Sequence, residues 1–498
     1  VAEELARSEA IRLLSNDRKD RLAEVYHAFA RRLLEPDDPV VQPDPNAAWD
    51  LLSQARDLAK SPVPRARLLF SMGRTSQKAG NFPRSIDHFQ AYLKEYPGGA
   101  DRLAARFHLG ESQRQAGQPL QARLTWTDLA RDIERIKPAD PDKDAQGIRA
   151  NALAEIPSTF GIPNPPDDTS MNLGVAALQR FLAAYPAHPR AVKSAYQIAA
   201  TYLARGKSDL ALAALSRFLK DDGFKVETDE ARRDQAELAM TATFQYAQIL
   251  QGQQKFTEAI AAWKGYLANF PNGPQSADAQ RAILDTQLLV AADHLSRARY
   301  PEARAAWSEF VAQNPLDARV PAILFQVGES FLAEKKFDAA IAALGPLTSK
   351  FPGSEPAGHA QFATASLFET EKGDPAGAIE RFKKIAIEPW RAQALERIAV
   401  MEARALTVLT PRAFRTGEVA NLKITTRNLE KLTFTAYKLN PEAYFRKKHG
   451  LANVESLDIG LVAPDAEWTV DVPGYARYKP IEVSYELKKL EQPGVYVV

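Results

Sequence analysis

A spacing of three, seven and fifteen residues recurs along this chain and leaves it little freedom in how to fold. Phe256 is followed by Ala259, Trp263 and Pro271, Tyr300 by Ala303, Trp307 and Pro315, and Phe337 by Ala340, Leu344 and Pro352. Phe82, Ser85, Phe89 and Pro97 repeat the pattern with Ser in place of Ala. In FPRSIDHFQAYLKEYP, the residues Phe82, Ile86, Phe89, Leu93 and Tyr96 share one helical face. The small second residue lets a neighbouring helix come close. Pro ends the helix, because it has no N–H to donate and disfavours helical geometry before it. One such hairpin cannot bury its apolar face alone, so the spacing predicts stacked helical hairpins, a scaffold and not a catalytic pocket.

The helix openers read as Asn46, Phe82, Pro119, Asn172, Ser208, Phe256, Tyr300, Phe337 and Pro375, at spacings of 36, 37, 53, 36, 48, 44, 37 and 38. The long intervals leave room for extended helices or loops. Gly80, Gly117, Gly206 and Gly373 precede their openers by two residues, where a left-handed residue ends the preceding helix. The partner helix of each hairpin is visible in ARLLFSMGRTSQKAG, AARFHLGESQRQAG, SAYQIAATYLARG, ATFQYAQILQGQQ and ILFQVGESFLAEKK. Over residues 46–388 these units resemble tetratricopeptide repeats of the looser sort found in bacterial envelope assembly proteins, the AYLKEYPGG and GYLANFPNG endings especially. The resemblance implies a right-handed superhelix of about nine hairpins whose concave face docks a protein partner. Residues 137–170, rich in Pro and Asp, read as a divergent helix flanked by loops, either a surface insertion or a partner-contacting loop.

At 498 residues the chain exceeds what one core supports, so two or more units are expected. Its 64 basic and 62 acidic side chains nearly cancel, which leaves no electrostatic footprint for nucleic acid or an anionic membrane. The absence of cysteine excludes disulfides, thiolate metal sites and cysteine nucleophiles within these residues. No apolar run reaches the ~18–20 residues that span a bilayer, and VAEELARSEA is not a secretory signal. A first residue of Val suggests a processed product or an excised fragment.

Near Leu406 the helical period gives way to alternation. ALTVLTP, ANLKITTRN, LTFTAYKLN, EWTVDVP, IEVSYELKKL and GVYVV read as six short strands, with turns at Arg415-Thr416-Gly417, Asn428-Leu429-Glu430 and Pro473-Gly474. Leu422, Ile424 and Thr426 alternate with Asn421, Lys423 and Thr425. A small antiparallel β-sandwich follows, with NPEAYFRKKHG as a helical insertion. Tyr437-Lys438-Leu439, the stretch Asn440 to Lys447 and the closing Pro493 to Tyr496 resemble the opening domain of bacterial alpha-2-macroglobulins. Some members of that family place tetratricopeptide-like repeats ahead of their macroglobulin domains. The bait segment and thioester that family uses to trap proteases have no counterpart before Val498, so the chain would be at most the front of such an inhibitor.

Little else carries chemistry. His27, His88, His108, His188, His294, His359 and His449 are scattered without a zinc-type spacing, and they read as surface or packing residues. No phosphate-cradling glycine motif or esterase elbow occurs. Gly110-Glu111-Ser112 and Gly328-Glu329-Ser330 look like nucleophile sites, but both fall at the same place on a first helix and are repeat grammar. Arg446-Lys447-Lys448-His449 reads as a solvated loop, or else as a contact for an acidic partner, and Arg18-Lys19-Asp20-Arg21 as an exposed helix face. Trp49, Trp126, Trp263 and Trp307 are expected in the core, and Trp390 or Trp468 against the junction of helices and strands.

The chain is therefore expected to be multidomain and mainly α: a tetratricopeptide-like solenoid over residues 1–400, then a macroglobulin-like β-sandwich over 405–498. Catalytic residues, cofactor and metal are all expected to be none. The expected function is the non-catalytic front of a bacterial protease-trapping protein in the periplasm or outside the cell. A protein partner would sit on the repeats, and proteases would meet domains further on. The alternative is an envelope scaffold that assembles other proteins and inhibits nothing.

Overall fold

A computed structural model describes residues 10–36, 40–135, 143–412, 414, 415, 417–440, 442, 445, 446, 463–488, 490 and 492–498. The chain forms two compact units, residues 1–286 and 287–498.

The first unit holds α1 (Asn16–Leu34), α2 (Pro45–Leu58), α3 (Pro62–Lys78), α4 (Phe82–Glu95), α5 (Arg102–Gln115), α6 (Pro119–Arg135), α7 (Lys143–Glu155), α8 (Asp168–Ala184), α9 (Ala191–Ala204), α10 (Ser208–Leu219), α11 (Asp229–Gly252), α12 (Phe256–Asn269) and the start of α13 (Ser276–Ser296). The second holds the end of α13, then α14 (Tyr300–Gln313), α15 (Val320–Ala333), α16 (Phe337–Lys350), α17 (Glu355–Thr370), α18 (Pro375–Phe382) and α19 (Trp390–Glu402). Each of α4, α12, α14 and α16 ends two residues before its Pro. Within each unit a helix packs against its chain neighbour, and first helices also touch the next first helix, as α1 does α3 and α15 does α17. That two-step contact is what stacked hairpins require.

The spacing accounts for the core. Ala259 and Trp263, Ala303 and Trp307, Ala340 and Leu344, and Ser85 and Phe89 are all buried. Two openers lie one residue earlier than the pattern suggests. Ala48 and Leu52 are buried, which makes Pro45 the opener of α2 and leaves Trp49 only half-buried. Likewise Met171, Gly174, Leu178 and Pro186 carry the spacing in α8, not Asn172. The intervals of 48 and 44 residues are filled by the 24-residue α11 and the 21-residue α13. The left-handed residue stands two places before the opener at Gly80, Gly117, Gly206 and Gly373, and also at Gln254, Ala298 and Lys335.

Residues 143–170 are part of the packed stack and not a surface insertion. Residues 136–142 lie outside the described part, but α7 takes the place of a first helix, and Ala145, Ala152, Leu153, Ile156 and Ile162 are buried. A 3-10 turn, Ile156–Phe160, brings Ile162 against α8 where Gly174 leaves room for it.

The strands are β1 (Ala405–Leu409), β2 (Asn421–Arg427), β3 (Lys431–Leu439), β4 (Ala466–Asp471), β5 (Ile481–Glu486) and β6 (Val495–Val497). They form two three-stranded antiparallel sheets, ordered β1-β2-β5 and β4-β3-β6. Leu422, Ile424 and Thr426 point inward, as their alternation requires. Leu422 and Ile424 join Phe434 and Leu487 in one apolar cluster drawn from both sheets. Phe434 stacks on Tyr485 with ring centroids 4.7 Å apart, and Trp468 Nε1 donates to the Tyr485 hydroxyl at 2.8 Å. This arrangement stops short of the complete β-sandwich expected. The expected helix at NPEAYFRKKHG, and Lys447, Lys448 and His449 of the basic cluster, lie largely outside the described residues.

Trp390 packs against the same helix cluster as Tyr478, and Trp468 lies among the strands against Phe434 and Tyr485, but neither hydrogen-bonds across the junction of helix and sheet. Asn428 does: its Nδ2 donates to the carbonyls of Met401 (2.7 Å) and Ala403 (3.0 Å), and its Oδ1 accepts from Tyr478 N at 2.7 Å. Tyr478 packs against the cluster of Phe382, Ile398 and Met401.

Candidate interaction surfaces

The second helices supply the large buried residues Phe89, Trp126, Trp263 and Trp307, and the first helices lie close against them. Gly73, Gly110 and Gly328 explain how these sit so close to their partners. A β-carbon there would stand 2.7 Å from Phe89, 2.4 Å from Trp126 and 2.3 Å from Leu344 respectively. Each glycine thus receives the large residue seven places past the opener. The serines of the two Gly-Glu-Ser copies are buried beside it. Ser112 Oγ donates to the His108 carbonyl at 2.9 Å and lies 2.9 Å from Ser85 Oγ, while Ser330 Oγ donates to the Val327 carbonyl at 2.6 Å. Neither hydroxyl meets a general base, so the repeat-grammar reading stands on its packing.

In residues 1–286, a polar row crosses α1, α3 and α5. His27 Nε2 lies 2.7 Å from Ser71 Oγ. Arg74 reaches the His108 ring, and His108 Nδ1 lies 2.7 Å from Glu111 Oε2, which also accepts from Gln77 at 3.2 Å. Arg74 can only donate, so His108 accepts at Nε2 and donates its Nδ1–H to the Glu111 carboxylate. Burial pushes His108 below its ordinary value, against the opposing pull of Glu111, and the ring is neutral in this arrangement. Burial likewise lowers His27, with Arg31 and Arg67 adding to it. Burial would raise Glu111, but hydrogen bonds from His108 and Gln77 hold it below the usual carboxylate range. A cavity of about 200 Å³ opens here, lined by His27, Arg31, Leu52, Phe70, Arg74 and Lys78. Lys78 is tied at 3.1 Å to Glu35.

A larger groove of about 710 Å³ runs between α8, α9 and α10, with Leu182, Ile198, Tyr202, Leu210 and Phe218 on its walls. The loop after α10 turns back over it. The Phe224 ring packs tilted, 5.4 Å from Phe218, Lys225 N donates to the Pro186 carbonyl at 2.7 Å, and Arg217 pairs with Asp222 at 2.8 Å. Sequence reasoning missed this groove, because its walls use the same apolar alphabet as the core.

Residues 70–141 match the tetratricopeptide repeat family, and residues 167–313 match YfiO, an outer membrane lipoprotein family. Within residues 70–141 the helical hairpins are of the tetratricopeptide kind. Similar solved structures include the C-terminal part of a TPR repeat-containing protein from Cytophaga hutchinsonii, 12% identical, covering 61% of this chain and 98% of that one at a TM-score of 0.35. A tetratricopeptide repeat protein from Parabacteroides merdae is 12% identical, with 67% and 97% covered and a TM-score of 0.20. Comparison with curated proteins finds no match. Neither family match reaches residues 405–498, so the alpha-2-macroglobulin resemblance gains no support from them.

Two other histidines pack on aromatic rings: His88 lies 5.3 Å from Trp49, which also carries Arg84 on its ring at 3.6 Å, and His188 meets Phe181 at 5.4 Å. Among the described residues no group of three His, Asp or Glu side chains could hold a metal, and no helix is long and apolar enough to cross a membrane.

Proposed function

We propose that the chain is a non-catalytic scaffold of the cell envelope, whose first-helix faces dock protein partners during assembly of other envelope proteins. The observation that carries this reading is the match of residues 167–313 to an outer membrane lipoprotein family, set within helices that repeat on either side. On this reading residues 1–400 are the docking module and 405–498 a β-sandwich that spaces or anchors it. The protease-trapping alternative has only the strand pattern of 405–498 in its favour.

The experiment is site-specific photocrosslinking in cells, with the reactive group at Arg31, at Tyr202 and, as a control, at Glu302 on a second helix. Crosslinks to one envelope protein from a first-helix position, absent from the control, are expected. No specific crosslink, together with protection of a trapped protease from a large but not a small substrate, would overturn the scaffold reading in favour of the inhibitor.

A further inference from the structure

Three aromatic rings from successive first helices stack within residues 287–498. Phe325 of α15 lies 4.2 Å from His359 of α17 at an interplanar angle of 28°, and His359 lies 4.0 Å from Trp390 of α19 at 7°. Gly358 allows the approach, since a β-carbon there would stand 2.8 Å from the Trp390 ring. Trp390 Nε1 donates to Glu355 Oε1 at 3.1 Å, which fixes the indole. All three rings are half-buried, so the ladder keeps an edge in solvent, whereas Trp126, Trp263 and Trp307 are hidden on second helices. The packing role that the repeat assigns to its aromatics does not require a row that crosses three hairpins at their surface.

Carboxylates from two helices flank the ladder. The ionised groups that act on the His359 ring are Glu329, from α15, and Glu355, from its own helix. Both carboxylates are exposed, and Glu329 makes no ion pair among the described residues. Acidic groups beside ring edges and faces select a cation with a flat, weakly hydrated head and an apolar stem.

We propose that Phe325, His359 and Trp390, with Glu329 and Glu355, dock an arginine-bearing segment of a protein partner. The guanidinium pairs with Glu329, one turn beyond Phe325, and its methylene stem covers the ring ladder, while Glu355, bonded to Trp390, adds to the negative field on the other side. This rests on the scaffold reading and names the chemistry of one partner segment.

The test uses the full chain and a fluorescein-labelled peptide of alternating Arg and Ala, read by anisotropy at about 0.15 M and about 0.5 M salt. A Gln-for-Arg peptide is the comparison. Saturable binding of the Arg peptide is expected, weakened about tenfold by the double variant Glu329→Gln with Glu355→Gln. Gln at 355 keeps the acceptor for Trp390. The double variant Glu302→Gln with Glu380→Gln changes net charge equally on second helices and should leave binding unchanged. Equal binding of the two peptides, or equal loss in the two double variants, would overturn the proposal. The crosslinks from Arg31 and Tyr202 report on the scaffold reading separately, because those positions lie outside residues 287–498.

Discussion

Gly110 lies directly against Trp126: a β-carbon at 110 would stand 2.4 Å from the indole Nε1, whose ring is fully buried. The contact joins a first helix to the residue that defines the second, and Gly328 repeats it with Leu344.

Gly110→Ala is accordingly expected to destabilise residues 1–286 by about 1–3 kcal/mol, because the indole has nowhere to move. Gly265→Ala, in the interior of α12 with nothing within 4 Å of its added carbon, should stabilise by about 0.5–1 kcal/mol. Urea unfolding of the two variants checks the opposite signs. Equal effects would show that the close approach is unimportant.

Trp126 and Trp263 occupy equivalent places but differ in one bond. Trp126 Nε1 donates to the Phe107 carbonyl at 3.0 Å, whereas Trp263 Nε1 is buried with no partner among the described residues. Trp126→Phe should therefore cost about 1 kcal/mol more than Trp263→Phe, on top of a similar cavity term. A double comparison of urea midpoints reads the difference, and a larger loss for Trp263→Phe would refute it.

Ala298 holds a left-handed backbone (φ 55°) at a place where four other hairpins use Gly. Its methyl group crowds the following carbonyl there. Ala298→Gly should raise the stability of residues 287–498 by about 1 kcal/mol. Thermal denaturation measures it, and a drop would mean that the unfolded-state entropy of Gly outweighs the relief.

His27, His88 and His108 are each lowered below their ordinary 6.5, with burial the largest cause. Between the folded and unfolded values the unfolded chain binds more protons. Their contribution is thus fully present above about pH 6.5 and is lost as pH falls through the folded values. The urea midpoint should fall between about pH 7 and pH 5, and replacing all three by Gln should flatten that slope. A midpoint that rises on acidification would contradict the sign.

Asn428 is expected to tolerate no charge. Asp in its place cannot donate to the Met401 and Ala403 carbonyls, so Asn428→Asp should destabilise the junction by about 1–3 kcal/mol. Faster proteolysis between residues 401 and 428 would report it, and Asn428→Gly, which keeps the left-handed backbone (φ 56°), separates the bonds from the conformation.

What the sequence by itself determined is the local chemistry. An apolar face at helical spacing, Pro at the end of a helix and alternation in a strand act within a few residues, so the hairpins and all six strands were legible. So was the inward set of Leu422, Ile424 and Thr426. What only the tertiary structure decided is which of two adjacent candidates faces a neighbour. Pro45 and Met171 displaced Asn46 and Asn172 as openers because Ala48 and Gly174 are where another helix, or Ile162, comes close. Trp49 lost its place in the core for the same reason. The polar row of His27, Arg74 and His108 and the ladder of Phe325, His359 and Trp390 join residues more than thirty positions apart, and no local spacing encodes that. Stacking brings them together, because each first helix packs on its own second helix and also touches the next first helix.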